Sequence, residues 1–260
     1  MKKLYILSSG AGGTSYITTQ AIDAIEDSEV IVSYTKYAKE LKELIVDKEV
    51  YTSGMTHEID RCQQAINYAK DGKTTCIVSN GDVNVFGMAT LVVELINEQN
   101  LWDEIELISI PGVTSFLAAA SRVGAPVSQD FAVISLSDRL TDINMIDKRV
   151  RNSLDADFII GIYNPKSKSR IKPYQNFLKA LGEVDEKIAI IASNVGREKE
   201  KVTISTTSDL IEQGLAHPDV SMSTLIIVCN SNTKLTKNGL VLTPRGYLSK
   251  YDMDGKIREN

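Results

Sequence analysis

Short apolar runs alternate with amphipathic stretches along most of the chain. The apolar runs are rich in Ile, Val and Leu and predict buried strands, whereas apolar residues spaced by three or four predict helices. The predicted strands cover 4–8, 30–34, 73–79, 105–110, 131–136, 157–163, 187–193, 202–206, 223–228 and 240–243. The predicted helices cover 18–27, 35–46, 57–70, 87–99, 114–123, 142–154, 169–181 and 208–214. This alternation favours parallel strands covered by helices, so we predict an α/β fold.

The alternation is interrupted once, over residues 124–130. This segment combines small, turn-prone residues with Pro126 and is typical of a domain linker. We therefore predict two α/β domains, 1–124 and 125–247, with a ligand cleft between them. The residues that follow, 248–260, are predicted to form a C-terminal tail.

Composition argues against several classes of protein. The 260 residues carry a net charge of −5, whereas a protein that binds nucleic acid needs a basic surface. No apolar stretch approaches the roughly 18 residues of a membrane span, and the start of the chain does not resemble a signal peptide. Cys62, Cys76 and Cys229 form no CxxC motif, so we expect buried thiols in a reducing cytoplasm. Neither His57 nor His217 has a metal-ligand neighbour, and we expect no protein-bound metal.

Glycine loops follow two successive predicted strands. The first, 80–88, contains Gly81 and Asp82, and the second, 111–115, begins with Pro111 and Gly112. Glycine lets backbone approach a ligand, and a carboxylate accepts hydrogen bonds from hydroxyl or ammonium groups. Together the loops predict a nucleotide-like ligand. A third glycine-rich turn, 8–14, lacks the spacing of a dinucleotide or phosphate loop, so a different ligand is expected to approach it.

Polar and basic residues cluster in the second half of the chain. Ser135, Ser137 and Asp138 follow one predicted strand, and Tyr163 and Asn164 end the next, which places them at the predicted cleft. Eight cations fall within 34 residues: Arg139, Lys148, Arg149, Arg151, Lys166, Lys168, Arg170 and Lys172. They form either a solvated surface or a site for a substrate that carries several carboxylates.

Further motifs occur in a recognisable order. They are 54–61, 79–88, 111–114, 124–126, 130–138, 163–167, 196–198 and 243–247. From residue 1 to about 247 the chain resembles the tetrapyrrole methylases that use S-adenosylmethionine. The runs 130–138, 163–165 and 243–247 are most similar to the family's C17-methyltransferases, which act on precorrin-3B or cobalt-precorrin-3 in cobalamin biosynthesis.

The resemblance implies a homodimer that methylates C17 of the macrocycle and contracts the ring by extruding a meso carbon. It places the methyl donor, S-adenosylmethionine, at Gly81, Asp82, Val85, Thr114, Ser115, Tyr163, Asn164 and Val195. It places the tetrapyrrole at Ser9, Gly10 and Ala11. From the basic cluster we expect Arg149, Lys168 and Arg170 to bind the carboxylates of this substrate.

The chain departs from the family pattern in three places. Ser8 and Ala11 stand where a glycine and a proline are usual, and 83–87 replaces the usual Pro-Gly-Val-Tyr-Gly. Gln129 stands where a histidine is common, which removes a titratable group. Proton movement during contraction is therefore expected at Asp138 or Asp130, oriented by Ser135 or Ser137. Asp138 is favoured because it closes its strand on the predicted cleft side.

Other functions remain open at the level of sequence. The chain is a candidate for methylation at another carbon of the macrocycle, for diphthamide-type methylation of a protein, or for a tetrapyrrole carrier without turnover. Transfer of a labelled methyl group distinguishes an enzyme from a carrier. The sequence leaves open whether the substrate carries cobalt.

Overall fold

A computed structural model describes residues 2–258, which group by their contacts into two units. Unit 1 comprises Met1–Ala118 together with Gly196–Glu198. Unit 2 comprises Ala119–Val195 and Lys199–Asn260. The predicted domain limits at 124 and 247 stay predictions beside this division by contacts.

Unit 1 is built on a five-stranded parallel sheet of order β3-β2-β4-β1-β5. Its strands are β1 (Lys2–Ser8), β2 (Val30–Tyr34), β3 (Glu49–Ser53), β4 (Thr75–Ser79) and β5 (Ile105–Ile110). The helices that begin in this part of the chain are α1 (Thr19–Asp27), α2 (Thr35–Glu40), α3 (Glu58–Lys70), α4 (Ala89–Glu98) and α5 (Ser115–Ala120).

Both faces of this sheet are buried. Leu4 and Ile6 pack with apolar residues of α3 and α4 on one face. Tyr5 and Leu7 pack with residues of α1 on the other. Because successive side chains of a strand point to opposite faces, a strand covered on both sides is continuously apolar. This explains why β1, β2 and β4 each contain an unbroken apolar run.

Unit 2 contains a mixed sheet of order β10-β9-β11-β8-β7 and a small sheet of order β12-β13-β6. The strands are β6 (Gly124–Ala125), β7 (Phe131–Ser135), β8 (Ile159–Tyr163), β9 (Ile188–Ser193), β10 (Lys201–Thr206), β11 (Thr224–Val228), β12 (Lys234–Leu235) and β13 (Val241–Leu242). The helices are α6 (Ile143–Asp155), α7 (Lys172–Leu181), α8 (Thr207–Gln213) and α9 (Tyr247–Lys250). Residues of α6, α7 and α8 share one apolar core with the sheet.

The prediction of parallel pairing is confirmed in unit 1 and wrong for most of unit 2. Only β7 and β8 pair in parallel in the large sheet of unit 2, and β8–β11, β11–β9 and β9–β10 are antiparallel. The segment between β9 and β10, 194–200, is too short for the crossover of a dozen or more residues that parallel neighbours need. It can only return the chain in the opposite direction.

Two predictions of secondary structure need correction. Strand β3 was not predicted, and the helix predicted over 35–46 ends at Glu40. Beyond it, turns over 41–48 bury Leu41 and Ile45, so their apolar spacing belongs to a folded turn rather than a helix. The predicted linker contains β6, which pairs with β13, and the predicted tail contains most of α9.

The prediction that the cysteines are buried thiols is confirmed, because Cys62, Cys76 and Cys229 are buried and free. Burial raises the pKa of Cys62 and of Cys229 to about 12, and it also raises the pKa of Cys76. All three are therefore protonated at neutral pH and unsuited to nucleophilic roles. Among the described residues, no helix has the length and apolar character that crossing a membrane requires.

Candidate functional site

The carboxyl ends of β1, β4 and β5 meet at one edge of the unit 1 sheet, because the three strands are parallel neighbours. The loops after β1 and β4 pair through their backbones. Gly81 N donates to Gly10 O at 2.7 Å, and Gly10 N donates to Gly81 O at 3.2 Å. Two loops that were predicted to bind different ligands are thus held against each other.

Asp82 joins the β4 loop to the β5 loop. Its Oδ1 accepts from Asn84 N at 2.8 Å, and its Oδ2 accepts from Gly112 N at 2.9 Å. Hydrogen bonds to a carboxylate are stronger than those between neutral groups, so these two bonds fix the geometry of both loops. The role predicted for Asp82 as a ligand acceptor is left to the remaining lone pairs of its two oxygens.

Gly112 allows these loops to approach closely. A Cβ at this position would lie 2.6 Å from Gly81 O and also against the side chain of Ser8. Gly81 itself has a φ of 72°, in the left-handed region that favours glycine. The glycines at this edge therefore serve the packing of the loops against one another, in addition to any approach by a ligand.

Ser8, which replaces a usual glycine of the family pattern, is fully buried, and its Oγ accepts from Val83 N at 2.9 Å. The substitution thus adds a bond between the β1 and β4 loops. Ser9 and Ala11 are also buried, at 4% and 1% exposure, and the exposed part of this loop is Thr14 and Ser15. The assignment of the tetrapyrrole to Ser9, Gly10 and Ala11 stays a prediction.

The remaining donor residues predicted in unit 1 lie at the same edge. Val85 N donates to Asp82 O at 3.1 Å, within the turn after β4. Thr114 and Ser115 lie at the start of α5, and both are partly exposed. The Cα of Thr114 lies 3.9 Å from the position of a Cβ on Gly81. The structure thus brings the five donor residues predicted in this unit to one edge.

In unit 2, the ends of β7, β8 and β9 share an edge with the beginning of β11. Ser135 Oγ accepts from Asn164 Nδ2 at 3.1 Å and from Ser137 N at 3.2 Å. Asn164 has a φ of 51°, so the chain turns sharply after β8. Tyr163 and Asn164 are partly exposed, whereas Val195, which follows β9, is 4% exposed.

Arg170 joins the loops after β7 and β8. Its Nη1 donates to Leu136 O at 2.6 Å, and its Nη2 donates to Asn164 O at 2.9 Å. Its Nε lies 3.9 Å from Asp138 Oδ1, and its side chain is only 10% exposed. The guanidinium thus supports the strand-end loops. Its contact with a substrate carboxylate stays a prediction. Such a contact would have to compete with the partners that the guanidinium already has.

Asp130 lies at the opposite end of β7 from Ser135 and Asp138. A strand of five residues spans about 16 Å, so Asp130 and Asp138 cannot act on the same atom. Which of the two carboxylates moves a proton stays a prediction, and the structure places them at opposite ends of β7. Gln129 lies at this far end too, where its Nε2 donates to Pro244 O at 2.6 Å and its Oε1 accepts from Asn230 Nδ2 at 2.6 Å. Its amide holds the segment before β7 in place.

A cavity of about 480 Å³ opens in unit 2 beside these loops. It is lined by Lys166, Ser167, Lys168, Ile171, Leu215, Val220, Ser221 and Met222. Lys166 Nζ donates to Leu215 O and lies 5.7 Å from the centre of the Tyr174 ring, and burial lowers the pKa of Lys166. Of the predicted carboxylate-binding residues Lys168 lines the cavity, whereas Arg149 lies on the exposed surface of α6.

His217 provides a test of how the wall near this cavity responds to pH. Burial lowers the pKa of His217 below 6.5, an effect that Asp219 partly opposes and Lys166 and Lys201 reinforce. Below about pH 6.5, His217 therefore binds a proton in the unfolded chain but not in the folded chain. The free energy of unfolding falls as a result. We expect the melting temperature of His217→Asn to fall less than that of the wild type between pH 7.5 and 5.5. Parallel losses in circular-dichroism melts of the two proteins would contradict this.

The family profile described as Tetrapyrrole (Corrin/Porphyrin) Methylases matches residues 3–211. The match covers most of the chain and includes the loops after β1, β4, β5, β7, β8 and β9. The chain therefore belongs to the tetrapyrrole methylases, as the motifs in its sequence predicted.

Curated relatives show which members of the tetrapyrrole methylases this chain is similar to. The chain is 39% identical over 252 residues to a probable cobalt-factor III C(17)-methyltransferase of Methanocaldococcus jannaschii, covering 95% of this chain and 99% of the relative. It is 38% identical to a protein of the same name from Salmonella typhimurium, covering 94% and 99%. A precorrin-3B C(17)-methyltransferase of Sinorhizobium sp. is 34% identical, with coverage of 94% and 96%.

Solved structures share the fold. The crystal structure of the methyltransferase CobJ aligns with a TM-score of 0.85 and 27% identity, covering 94% of this chain and all of the other. A uroporphyrin-III C-methyltransferase of Thermus thermophilus, in complex with S-adenosylhomocysteine, aligns with a TM-score of 0.63. At 16% identity, covering 87% of this chain and 92% of the other, that second likeness concerns the fold alone.

Proposed function

We propose that this chain transfers a methyl group from S-adenosylmethionine to C17 of cobalt-factor III and contracts the ring, as a step of cobalamin biosynthesis. The observation that carries the proposal is the 39% identity, along 95% of the chain, to a relative of that name. The bonded loops at the unit 1 edge support it, because they contain the family motifs that the sequence predicted as donor-binding.

The residues at the unit 1 edge suit the polar groups of the methyl donor. Thr114 and Ser115 bring hydroxyls, and Asp82 retains acceptor capacity for an ammonium or hydroxyl group. The family resemblance also assigns Tyr163, Asn164 and Val195 to the donor, and this assignment stays part of the proposal. In S-adenosylmethionine the methyl group is bonded to a sulfonium, whose sulfur leaves readily as a neutral thioether. Transfer of this methyl group therefore needs no metal activation by the protein. The chain must therefore mainly bind, orient and exclude water.

Methyl transfer is an in-line displacement, so its rate depends on how firmly the donor and the ring carbon are held. Reacting atoms must approach to about 3–3.5 Å in the correct orientation before the bond forms. We assign this positioning to the donor loops of unit 1 and the loops after β7 and β8 in unit 2. Arg170 and the Ser135–Asn164 hydrogen bond support the latter loops.

Proton movement during contraction is assigned to Asp138, with Ser135 as the orienting residue of the same strand end. Asp138 is one-third exposed and follows the loop that Arg170 holds, whereas Asp130 lies at the far end of β7. We expect Asp138→Asn to lower the rate of contraction by about 100-fold, because loss of a general acid or base costs about 10²–10⁴. The dissociation constant of the donor, measured by calorimetry, should change less than twofold. Asp130→Asn, the matched control, should leave both quantities unchanged, and an unimpaired Asp138→Asn would remove the assignment.

Cobalt-factor III is favoured over precorrin-3B by the names of the most similar relatives reported above. The assay is incubation of the protein with the donor and each substrate in turn, followed by mass analysis. Methylation of cobalt-factor III is expected. Preferred methylation of precorrin-3B would identify precorrin-3B as the substrate. Binding without methylation would favour a carrier.

We also propose that the protein is a homodimer in the cytoplasm. The family resemblance supports the dimer, and the three free buried thiols suit a reducing compartment. Analytical ultracentrifugation tests the dimer, for which a single species of twice the 28.6 kDa chain mass is expected. A monomer at micromolar concentration would contradict it.

A further inference from the structure

The motif Gly196-Arg197-Glu198 lies in unit 1, far along the chain from its neighbours there. Arg197 Nε and Nη2 donate to the two carboxylate oxygens of Glu40, at 2.8 and 3.2 Å. The same Nη2 donates to Asn80 Oδ1 at 3.0 Å. The side chains of Arg197 and Glu40 are each 20% exposed, so this guanidinium is largely enclosed by its partners.

Asn80 extends this contact to the glycine loop after β1. Its Nδ2 donates to Gly10 O at 2.6 Å, while its Oδ1 accepts from Arg197. The amide of Asn80 is therefore held from both sides, and its orientation is fixed because its oxygen faces a donor and its nitrogen faces an acceptor. A continuous series of hydrogen bonds runs from Glu40 through Arg197 and Asn80 to the backbone of Gly10.

The neighbouring backbone is packed against the same loop. A Cβ on Gly196 would lie 2.8 Å from Gly12 O and 2.9 Å from the ring of Tyr16. Gly196 also has a φ of 75°, in the region that favours glycine. The segment therefore contacts the glycine loop twice: through the backbone at Gly196 and through the Arg197 side chain and Asn80.

An arginine–glutamate ion pair on a protein surface contributes by itself little to the stability of the fold. The chain contains such a pair for comparison in Arg122 and Glu200, with Nε–Oε1 at 2.8 Å and Nη2–Oε2 at 3.3 Å. This geometry matches that of Arg197 and Glu40, but Arg122 and Glu200 belong to unit 2 and not to the unit that contains the glycine loop. Arg197 also donates to Asn80, and its side chain is 20% exposed, whereas that of Arg122 is 43% exposed.

We propose that Arg197 is a positioning residue that holds the 8–13 loop, by way of Asn80, in the conformation that binds the tetrapyrrole. This rests on the proposed function, in which that loop faces the macrocycle. Arg197 acts through the loop and not on the reacting atoms. Its removal should therefore weaken binding of the macrocycle more than it slows the transfer step.

The test compares Arg197→Lys and Asn80→Ala with the matched control Arg122→Lys. Lysine keeps the charge beside Glu40 but loses the planar fork that reaches Asn80. We expect the KM for the tetrapyrrole to rise about tenfold in Arg197→Lys and in Asn80→Ala, as befits loss of one charge-assisted hydrogen bond. We expect kcat and the KM for the donor to change less than about twofold. The double variant should be no worse than the single ones, because both remove the same connection.

A purely structural pair gives a different result. Arg197→Lys and Arg122→Lys would then lower the melting temperature alike and leave the KM for the tetrapyrrole unchanged, which overturns the inference. The dissociation constant of the tetrapyrrole, from absorbance titration without the donor, keeps this test separate from the proposed function. A wild type that binds the macrocycle but transfers no methyl contradicts the proposed function alone. A wild type that transfers methyl, with no loss of affinity in Arg197→Lys, contradicts the inference alone.

Discussion

Replacing Asp82 with alanine is expected to lower kcat/KM for methyl transfer by at least about 100-fold, which corresponds to about 2.7 kcal/mol. The variant loses both carboxylate bonds, to Asn84 N and Gly112 N, and with them the connection between the β4 and β5 loops. A hydrogen bond to a charged group contributes about 1.5–3 kcal/mol, so two of them suffice for this effect. The kcat/KM of Asp82→Asn should lie between those of the wild type and of Asp82→Ala, because an amide has one acceptor oxygen where the carboxylate has two.

The measurements are kcat/KM and the dissociation constant of S-adenosylmethionine by calorimetry. The matched control is Asp209→Ala, whose carboxylate accepts from Thr206 N at the start of α8, at the far edge of the unit 2 sheet. That variant should lose stability of about 1 kcal/mol, as helix caps do, and keep its donor affinity. If Asp82→Ala retains both wild-type constants, the donor loops are not organised by this carboxylate and the donor binds elsewhere.

Gly112→Ala is expected to give the second largest effect. Its Cβ would lie 2.6 Å from Gly81 O, so one of the two loops must move. Overpacking of this kind costs about 1–3 kcal/mol, and here the displaced backbone belongs to the proposed donor site. We therefore expect a lower melting temperature together with an increase of at least about tenfold in the dissociation constant of the donor.

Gly182→Ala is the matched control for this substitution. Gly182 follows α7 with a φ of −73°, and an added Cβ there has no neighbour closer than 3.5 Å. Alanine should leave both stability and donor affinity close to the wild type at that site. Donor binding that survives Gly112→Ala unchanged would show that the close approach of the two loops is unrelated to the ligand.

Much of the fold was predictable because buried positions are occupied by apolar residues, which are visible in the sequence. In unit 1 the strands β1, β2 and β4 are covered on both faces, so each contains an apolar run. Helix starts such as Thr18 carry a capping side chain. Strand β3 was missed because it lies at the edge of the sheet, where it retains exposed and polar residues. Strand direction in unit 2 was missed because alternation does not distinguish parallel from antiparallel neighbours.

The candidate site was predictable where it follows strand ends and not where it depends on distant contacts. The loops containing Gly81 and Gly112 were recognised because each follows an apolar run. No pattern in the sequence indicates that Asn80 bonds to Gly10 or that Arg197 reaches Asn80, because 70 and 117 residues separate the partners. The signal for Arg197 in the sequence is the motif 196–198, which by itself indicates no role for the arginine.

The surroundings of two predicted site residues could not be inferred from the sequence for a similar reason. Arg170 belongs to the basic cluster in the sequence, yet its guanidinium donates to two backbone carbonyls. Asp130 was grouped with Asp138 because they are close in sequence, although a strand separates them in space. Sequence proximity and charge do not report whether a polar group already has internal partners.

The most direct test of the account is transfer of a ¹³C-labelled methyl group. The purified protein is incubated with S-adenosylmethionine labelled in its methyl carbon and with cobalt-factor III, and the product is analysed by mass spectrometry and carbon NMR. We expect a product heavier by one labelled methyl, with the label bonded to C17 of a contracted ring. A folded, donor-saturated protein that transfers no methyl to cobalt-factor III or to precorrin-3B would contradict the account.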